Sequence, residues 1–112
     1  MPRKKYVPER GDIMITNFDP SAGHEQAMKR PALVLSLGNF NSRVGLALVA
    51  PITSRVRGHG FEVAVAGKKI TGVILCQQIK MLDFNARGAS FIEKATPDVL
   101  AEALAKVRVL VQ

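Results

Sequence analysis

Four side chains able to bind a phosphate or move a proton fall within seven positions: His24, Glu25, Gln26 and Arg30. They occupy the stretch Asn17–Pro31, NFDPSAGHEQAMKRP, between two apolar runs, Ile13–Thr16 and Ala32–Leu35, that read as β-strands. The stretch has no helical or strand period of its own, and a connection this long in a short chain is usually functional or disordered. Asp19-Pro20 and Gly23 are turn residues that would hold it in a defined shape. Arg30 carries a planar, permanently charged donor set that matches phosphate oxygens. Thr53, just past another strand end, could donate a hydroxyl to the same group. Cleaving RNA without a metal needs a base for the ribose 2′-hydroxyl, a cation on the phosphorane, an acid for the leaving oxygen, and donors that hold the phosphate in line. Glu25 or His24 could be the base, Arg30 the cation and Thr53 a donor. The same residues also admit ordinary roles: an Arg30–Glu25 surface ion pair, a turn-starting Thr53 and a solvated His24.

Other chemistries lack their residues. There is no P-loop and no dinucleotide glycine fingerprint. His24 and His59 have no Cys or His partner at metal-ligand spacing, so no metal or other cofactor is expected. No serine sits in a nucleophile elbow. Cys76, the one cysteine, lies in an apolar run and reads as a buried inert thiol in a reducing compartment, hence a cytoplasmic chain. The start, MPRKKYVPERG, is basic but has no apolar segment after it, so no secretory signal is expected. The longest apolar stretch, Leu46–Ile52, is interrupted by Pro51 and is too short to span a membrane. Sixteen Lys and Arg against nine Asp and Glu give a net charge of +7. That excess suits a nucleic acid or an acidic protein segment, and it is equally compatible with a basic protein that has no such partner.

The positioning elements follow from the pattern. At 112 residues the chain suits one domain, 1–112, with residues 1–10 as a loosely held basic arm. Strands are expected over about Asp12–Phe18, Pro31–Leu37, Gly45–Ile52 and Phe61–Val65, then Gly72–Gln77 and Ile79–Leu82, with a short edge strand at Gly88–Ile92. The second is nearly all apolar, as a strand covered on both faces would be. Asn39–Arg43 allows a single helical turn, and Ser54–Gly60 reads as a flexible basic loop with two glycines. Thr96-Pro97 is a helix start. After it Leu100, Ala103, Leu104 and Val107 share one face, and Glu102 and Lys106 form an i,i+4 pair on the other. Short strands with Gly and Pro turns, then one amphipathic helix, indicate a mainly β fold: a small antiparallel sheet or barrel with a C-terminal helix packed on it.

The blocks RGDIMITNFDPSAGHEQAMKRPALVLS, LVAPITS and GVILCQQIKMLDFNARG, in that order, resemble the MazF/PemK toxins of type II toxin–antitoxin systems, leaning toward the ChpB and Kid branch. The likeness covers the chain from Glu9 to the C-terminal helix. It implies an SH3-like barrel of the CcdB/MazF type that forms a homodimer. It implies a metal-independent endoribonuclease cutting single-stranded mRNA at short motifs and leaving 2′,3′-cyclic phosphate and 5′-hydroxyl ends. It further implies an antitoxin whose disordered acidic segment covers the RNA groove. By the same resemblance Arg30 is the phosphorane stabiliser and a possible proton donor, Thr53 a phosphate ligand, Glu25 a base or orienter, and His24 the histidine that some members use. Gln26, Lys29, Arg55, Arg57, His59, Gln77 and Arg87 form the expected RNA-binding set. Arg55, Arg57 and His59 could close over RNA, meet the antitoxin, or be a solvated hairpin tip. Many members carry an aspartate two places past a position that is Arg in some; here those places are Gln77 and Leu75. Gln77 can hydrogen-bond a base or ribose but cannot serve as a base. The five phenylalanines, Phe18, Phe40, Phe61, Phe84 and Phe91, are expected in the core rather than as stacking platforms. Two other readings compete: a CcdB-type gyrase poison, and a non-catalytic RNA-binding barrel.

Overall fold

The computed structural model describes residues 5–18 and 29–112. Seven strands, β1 (Asp12–Asn17), β2 (Lys29–Val34), β3 (Ala47–Thr53), β4 (Glu62–Ala66), β5 (Thr71–Leu75), β6 (Lys80–Leu82) and β7 (Ser90–Lys94), form one curled antiparallel sheet. Two helices accompany them among the described residues, α1 (Gly38–Val44) and α2 (Pro97–Val111). The strand order is β4-β5-β3-β2-β1-β7. One edge of β3 is shared: β5 pairs with its C-terminal end through Thr53–Val73, and β6 with its N-terminal end through Ala47–Leu82.

The central strands are covered on both faces. Ile13, Leu33, Ala50 and Ile52 point into one cluster, which Ala103 and Val107 of α2 close, with Leu100 and Leu104 beside them. Met14, Ala32, Val34, Ala47 and Val49 point the other way and pack with Leu82 and Phe84. Alternate residues therefore serve opposite cores. Burying a leucine or isoleucine as fully as Leu33 or Ile13 stabilises the fold by about 1.5–3 kcal/mol each. The helix face read from the sequence is the one buried. Thr96 caps α2 by accepting from Val99 N–H at 3.4 Å, and Lys106 lies 3.6 Å from Glu102.

Several expectations are corrected. α1 runs for seven residues rather than one turn. The buried Asn41 side chain ties it down, donating to Pro8 O and Ser36 O and accepting from Ser36 Oγ. Gly45, at φ 81°, ends it in the left-handed conformation that glycine adopts without strain. The strand expected to reach Gln77 stops at Leu75, and Cys76–Gln78 form a 3-10 turn instead. Cys76 is buried there, and burial pushes its thiol up to about 11, so it remains protonated and inert. Phe84 is in the core, but Phe40 and Phe91 are 43% and 49% exposed, Phe40 on α1 and Phe91 on the edge strand β7. The part of the arm from Lys5 to Arg10 is tied to the sheet. Pro8 is fully buried, Tyr6 Oη donates to Asp12 Oδ2 at 2.6 Å, and Arg10 Nε donates to Leu35 O. Asp12 is itself buried, and its other oxygen lies 2.5 Å from Lys94 Nζ on β7. Among the described residues no helix is long and apolar enough to cross a membrane.

β4 and β7 are the two edges of the sheet, and a carboxylate brings them together. Glu93 of β7 accepts the N–H groups of Lys68, Lys69 and Ile70, the turn after β4, at 3.0, 3.0 and 2.8 Å. Those bonds, Lys69's first, outweigh burial and hold the Glu93 carboxyl below the usual glutamate range. A carboxylate whose pKa is lowered on folding contributes stability that is full above its unfolded value and lost as pH falls through the folded one. Glu93→Gln should therefore lower the Tm at neutral pH, and the difference from wild type should shrink as acid titrates Glu93. Thermal melts across an acidic pH series check both.

Candidate RNA-cleavage site

The strand register decides which side chains meet. Thr16 on β1 pairs with Arg30 on β2. The β2–β3 ladder ends at Ala32–Pro51; its register, carried two residues further along both strands, sets Arg30 level with Thr53. Thr16, Arg30 and Thr53 share the parity of Met14, Ala32 and Val49, so all three belong to the face of the second cluster. Thr16 is buried and donates from Oγ1 to Arg87 O at 3.2 Å. Arg30 is exposed, and Thr53 is half-buried. The result is one guanidinium at the surface, with a hydroxyl-bearing strand on either side. Thr53 Oγ1 accepts the N–H of Arg55 at 3.2 Å. With a lone pair engaged that way, its proton is left to donate outward, as a phosphate ligand requires.

Gly72 makes this arrangement possible, and nothing in the sequence beyond an isolated glycine in a strand signalled it. A Cβ on Gly72 would lie 2.3 Å from Thr53 O and 3.0 Å from Thr53 C. Only glycine lets β5 pass so close to the backbone of Thr53.

Of the expected RNA-binding residues, two groups form. Lys29 lies beside Arg30, paired with Asn17 across β1 and β2. Arg87 braces the end of β1: its Nη1 donates to Asn17 O and Phe18 O, both at 3.4 Å. Lys80, outside the expected RNA-binding set, donates to the same Phe18 O at 3.2 Å and lies 5.6 Å from the Phe18 ring centroid. Two cations thus converge where β1 meets the stretch that carries His24, Glu25 and Gln26; those three lie outside the described residues.

The second group is built around the Ser54–Gly60 loop, expected to be flexible. His59 Nε2 is 3.2 Å from the Gln77 side-chain amide, and its Nδ1 accepts from Phe61 N–H at 3.3 Å. Glu62 accepts the N–H groups of Arg57 and Gly58 at 3.0 and 2.8 Å. Burial works against this carboxylate, but the Gly58 and Arg57 bonds and the nearby His59 prevail and keep its pKa below the usual range. Leu75, the other position where the family pattern is broken, is 7% exposed and belongs to the core.

Nearly all of the chain matches known proteins. Residues 9–111 match the family of PemK-like, MazF-like toxins of type II toxin–antitoxin systems. The endoribonuclease toxin ChpB of Escherichia coli K12 is 44% identical over 115 residues, covering 97% of this chain and 98% of the relative. The crystal structure of MazF (Form-I) from Deinococcus radiodurans superposes with a TM-score of 0.86 at 42% identity, covering 96% and 98% of the two chains. A MazE–MazF crystal structure from the same organism gives 0.84 at 36% identity, covering 96% and 97%.

Gly72→Ala should displace Thr53 and destabilise by about 1–3 kcal/mol, the usual cost of overpacking. In ¹H–¹⁵N spectra the amides of Thr53, Ser54 and Arg55 should shift while those of α2 stay in place.

Proposed function

This chain belongs to the PemK-like, MazF-like toxins of type II toxin–antitoxin systems, and on that premise we propose that it is an endoribonuclease that cuts single-stranded mRNA by attack of a ribose 2′-hydroxyl on the adjacent phosphorus. The 2′-oxygen forms a bond to phosphorus and loses its proton to a base. The bond to the 5′-oxygen breaks, and that oxygen takes a proton from solvent water, to which the base returns the one it removed. The products are a 2′,3′-cyclic phosphate and a 5′-hydroxyl, and the step needs no metal. The observation that carries this reading is the row Thr16–Arg30–Thr53 on one face of the sheet.

Arg30 stabilises the extra charge of the phosphorane through planar paired donors. Its role is electrostatic, because a guanidinium releases its proton too reluctantly to be an efficient acid. Thr53 donates its outward hydroxyl proton to a phosphate oxygen and helps hold the group in line. Glu25 or His24 takes the 2′-proton. Gln77, a neutral amide, contacts base or ribose and carries no proton. Lys29, Arg55, Arg57, His59 and Gln26 hold flanking nucleotides, and the charge of +7 adds attraction that salt weakens. The active form is a cytoplasmic homodimer. An acidic segment of a cognate antitoxin competes with RNA for the same cationic surface, in line with the solved MazE–MazF complex.

Purified protein with a long unstructured RNA in excess EDTA should give discrete cuts. Arg30→Ala should reduce the rate by about 10²–10³-fold or more, the usual loss when a transition-state donor is removed. Its melting temperature should stay close to wild type, because Arg30 is exposed. Arg30→Lys should rescue only in part, since an ammonium lacks the paired planar donors. An Arg30→Ala protein that cuts at nearly the wild-type rate would refute the assignment.

A further inference from the structure

Glu62 is a polar residue of the site region that the proposed chemistry leaves unused. Its side chain is only 5% exposed although it lies under an exposed loop. A carboxylate so enclosed is costly unless its oxygens are satisfied. The loop itself satisfies them: Arg57 N–H reaches both oxygens, at 3.1 and 3.0 Å, and Gly58 N–H reaches Oε1 at 2.8 Å. His59 Nε2 lies 3.6 Å from Oε2.

Glu62 is in turn fixed from behind. Its backbone pairs with Leu75 as the first residue of β4, and its carbonyl accepts from Lys106 Nζ of α2 at 3.2 Å. The loop begins at Thr53, whose hydroxyl takes the N–H of Arg55, and it ends where His59 meets Gln77. One carboxylate on a rigid strand therefore sets the backbone between Thr53 and the Gln77 turn, where three of the expected RNA-binding side chains are carried.

We propose that Glu62 is a positioning residue for RNA binding: without touching RNA, it folds the 55–60 loop into the shape in which Arg55, Arg57 and His59 receive the strand held at Arg30 and Thr53. The inference rests on the ribonuclease reading above and extends it to how the flanking nucleotides are gripped. Glu93 supplies an internal comparison. It too is a carboxylate that accepts backbone N–H groups, three of them, but those belong to the 68–70 turn, which carries none of the expected RNA-binding residues. Loss of either carboxylate loosens a turn, and loss of Glu62 alone should weaken the hold on RNA.

Glu62→Gln is the direct test, because it removes the charge that strengthens these bonds and leaves a donor in place of one of the two oxygens that the Arg57 N–H reaches. Steady-state cleavage of a short oligoribonucleotide at fixed salt should show KM raised about tenfold and kcat within about twofold of wild type, the signature of binding lost equally from ground and transition states. Hydrogen exchange at the Arg57 and Gly58 amides should accelerate about tenfold or more. Glu93→Gln, measured alongside, should leave KM unchanged. Glu62→Asp, which keeps the charge but withdraws it by one methylene, should move both readouts the same way and serves if the glutamine variant does not fold. Unchanged exchange at Arg57 and Gly58, faster exchange with an unchanged KM, or an equal rise in KM from Glu93→Gln would each overturn the proposal. Wild-type protein that leaves RNA intact would overturn the ribonuclease reading and this inference with it, and that failure is seen before any substitution is made.

Discussion

The alignment of β1, β2 and β3 is the constraint on which the site depends. A strand has a side-chain period of two, so a slip of one residue would move every side chain of β2 to the opposite face. Leu33 would leave the core closed by α2, and Arg30 would leave the row it shares with Thr16 and Thr53. Such a slip is costly because both faces of these strands are buried, with Leu33 and Ala50 in one core and Ala32 and Val49 in the other. The packing that stabilises the fold is therefore the same packing that aims the guanidinium. This is how a chain of 112 residues can hold an exposed arginine in a defined place. The charged end is on the surface, while the strand that carries it is gripped from above and below.

Carboxylates then shape what the sheet alone does not. Asp12 joins the N-terminal segment to β7 through Tyr6 and Lys94. Glu93 brings the two sheet edges together across the turn after β4. Glu62 fastens the loop that leaves Thr53. In each case an acidic side chain satisfies backbone N–H groups or a cation belonging to a neighbouring segment that the strand ladders leave unpaired. A basic chain with few acids has thus placed three of them at joints, where one charge-assisted acceptor satisfies several donors.

Much of this was legible in the sequence, for identifiable reasons. Strand periodicity exposed β1 to β3, because period-two burial on two faces leaves long apolar runs such as Ala32–Leu35. The C-terminal helix announced itself through Thr96-Pro97 and the spacing of Leu100, Ala103, Leu104 and Val107. Arg30 and Thr53 stood out because of their place at strand ends beside turn residues. The rest is tertiary. Asn41 holds α1 together through Pro8, 33 positions away in sequence, and no local pattern reports such a partner. Gly72 reads as an ordinary strand glycine until β5 is laid against Thr53. Glu62 reads as one residue of an alternating strand until the loop before it folds back. Phe40 and Phe91, expected inside, are exposed because a short helix and an edge strand each turn one side outward.

The central question is whether the Arg30–Thr53 row serves attack by a 2′-hydroxyl. The most direct measurement uses an oligoribonucleotide carrying the mapped cut site, with one 2′-deoxy substitution at the nucleotide whose 3′-phosphate is cleaved, in excess EDTA. The all-ribose strand should be cut there and leave a 2′,3′-cyclic phosphate, while the single missing hydroxyl should abolish cutting at that phosphate and leave binding nearly unchanged. Cleavage of the substituted strand at a comparable rate, or products ending in a 3′-hydroxyl, would contradict it.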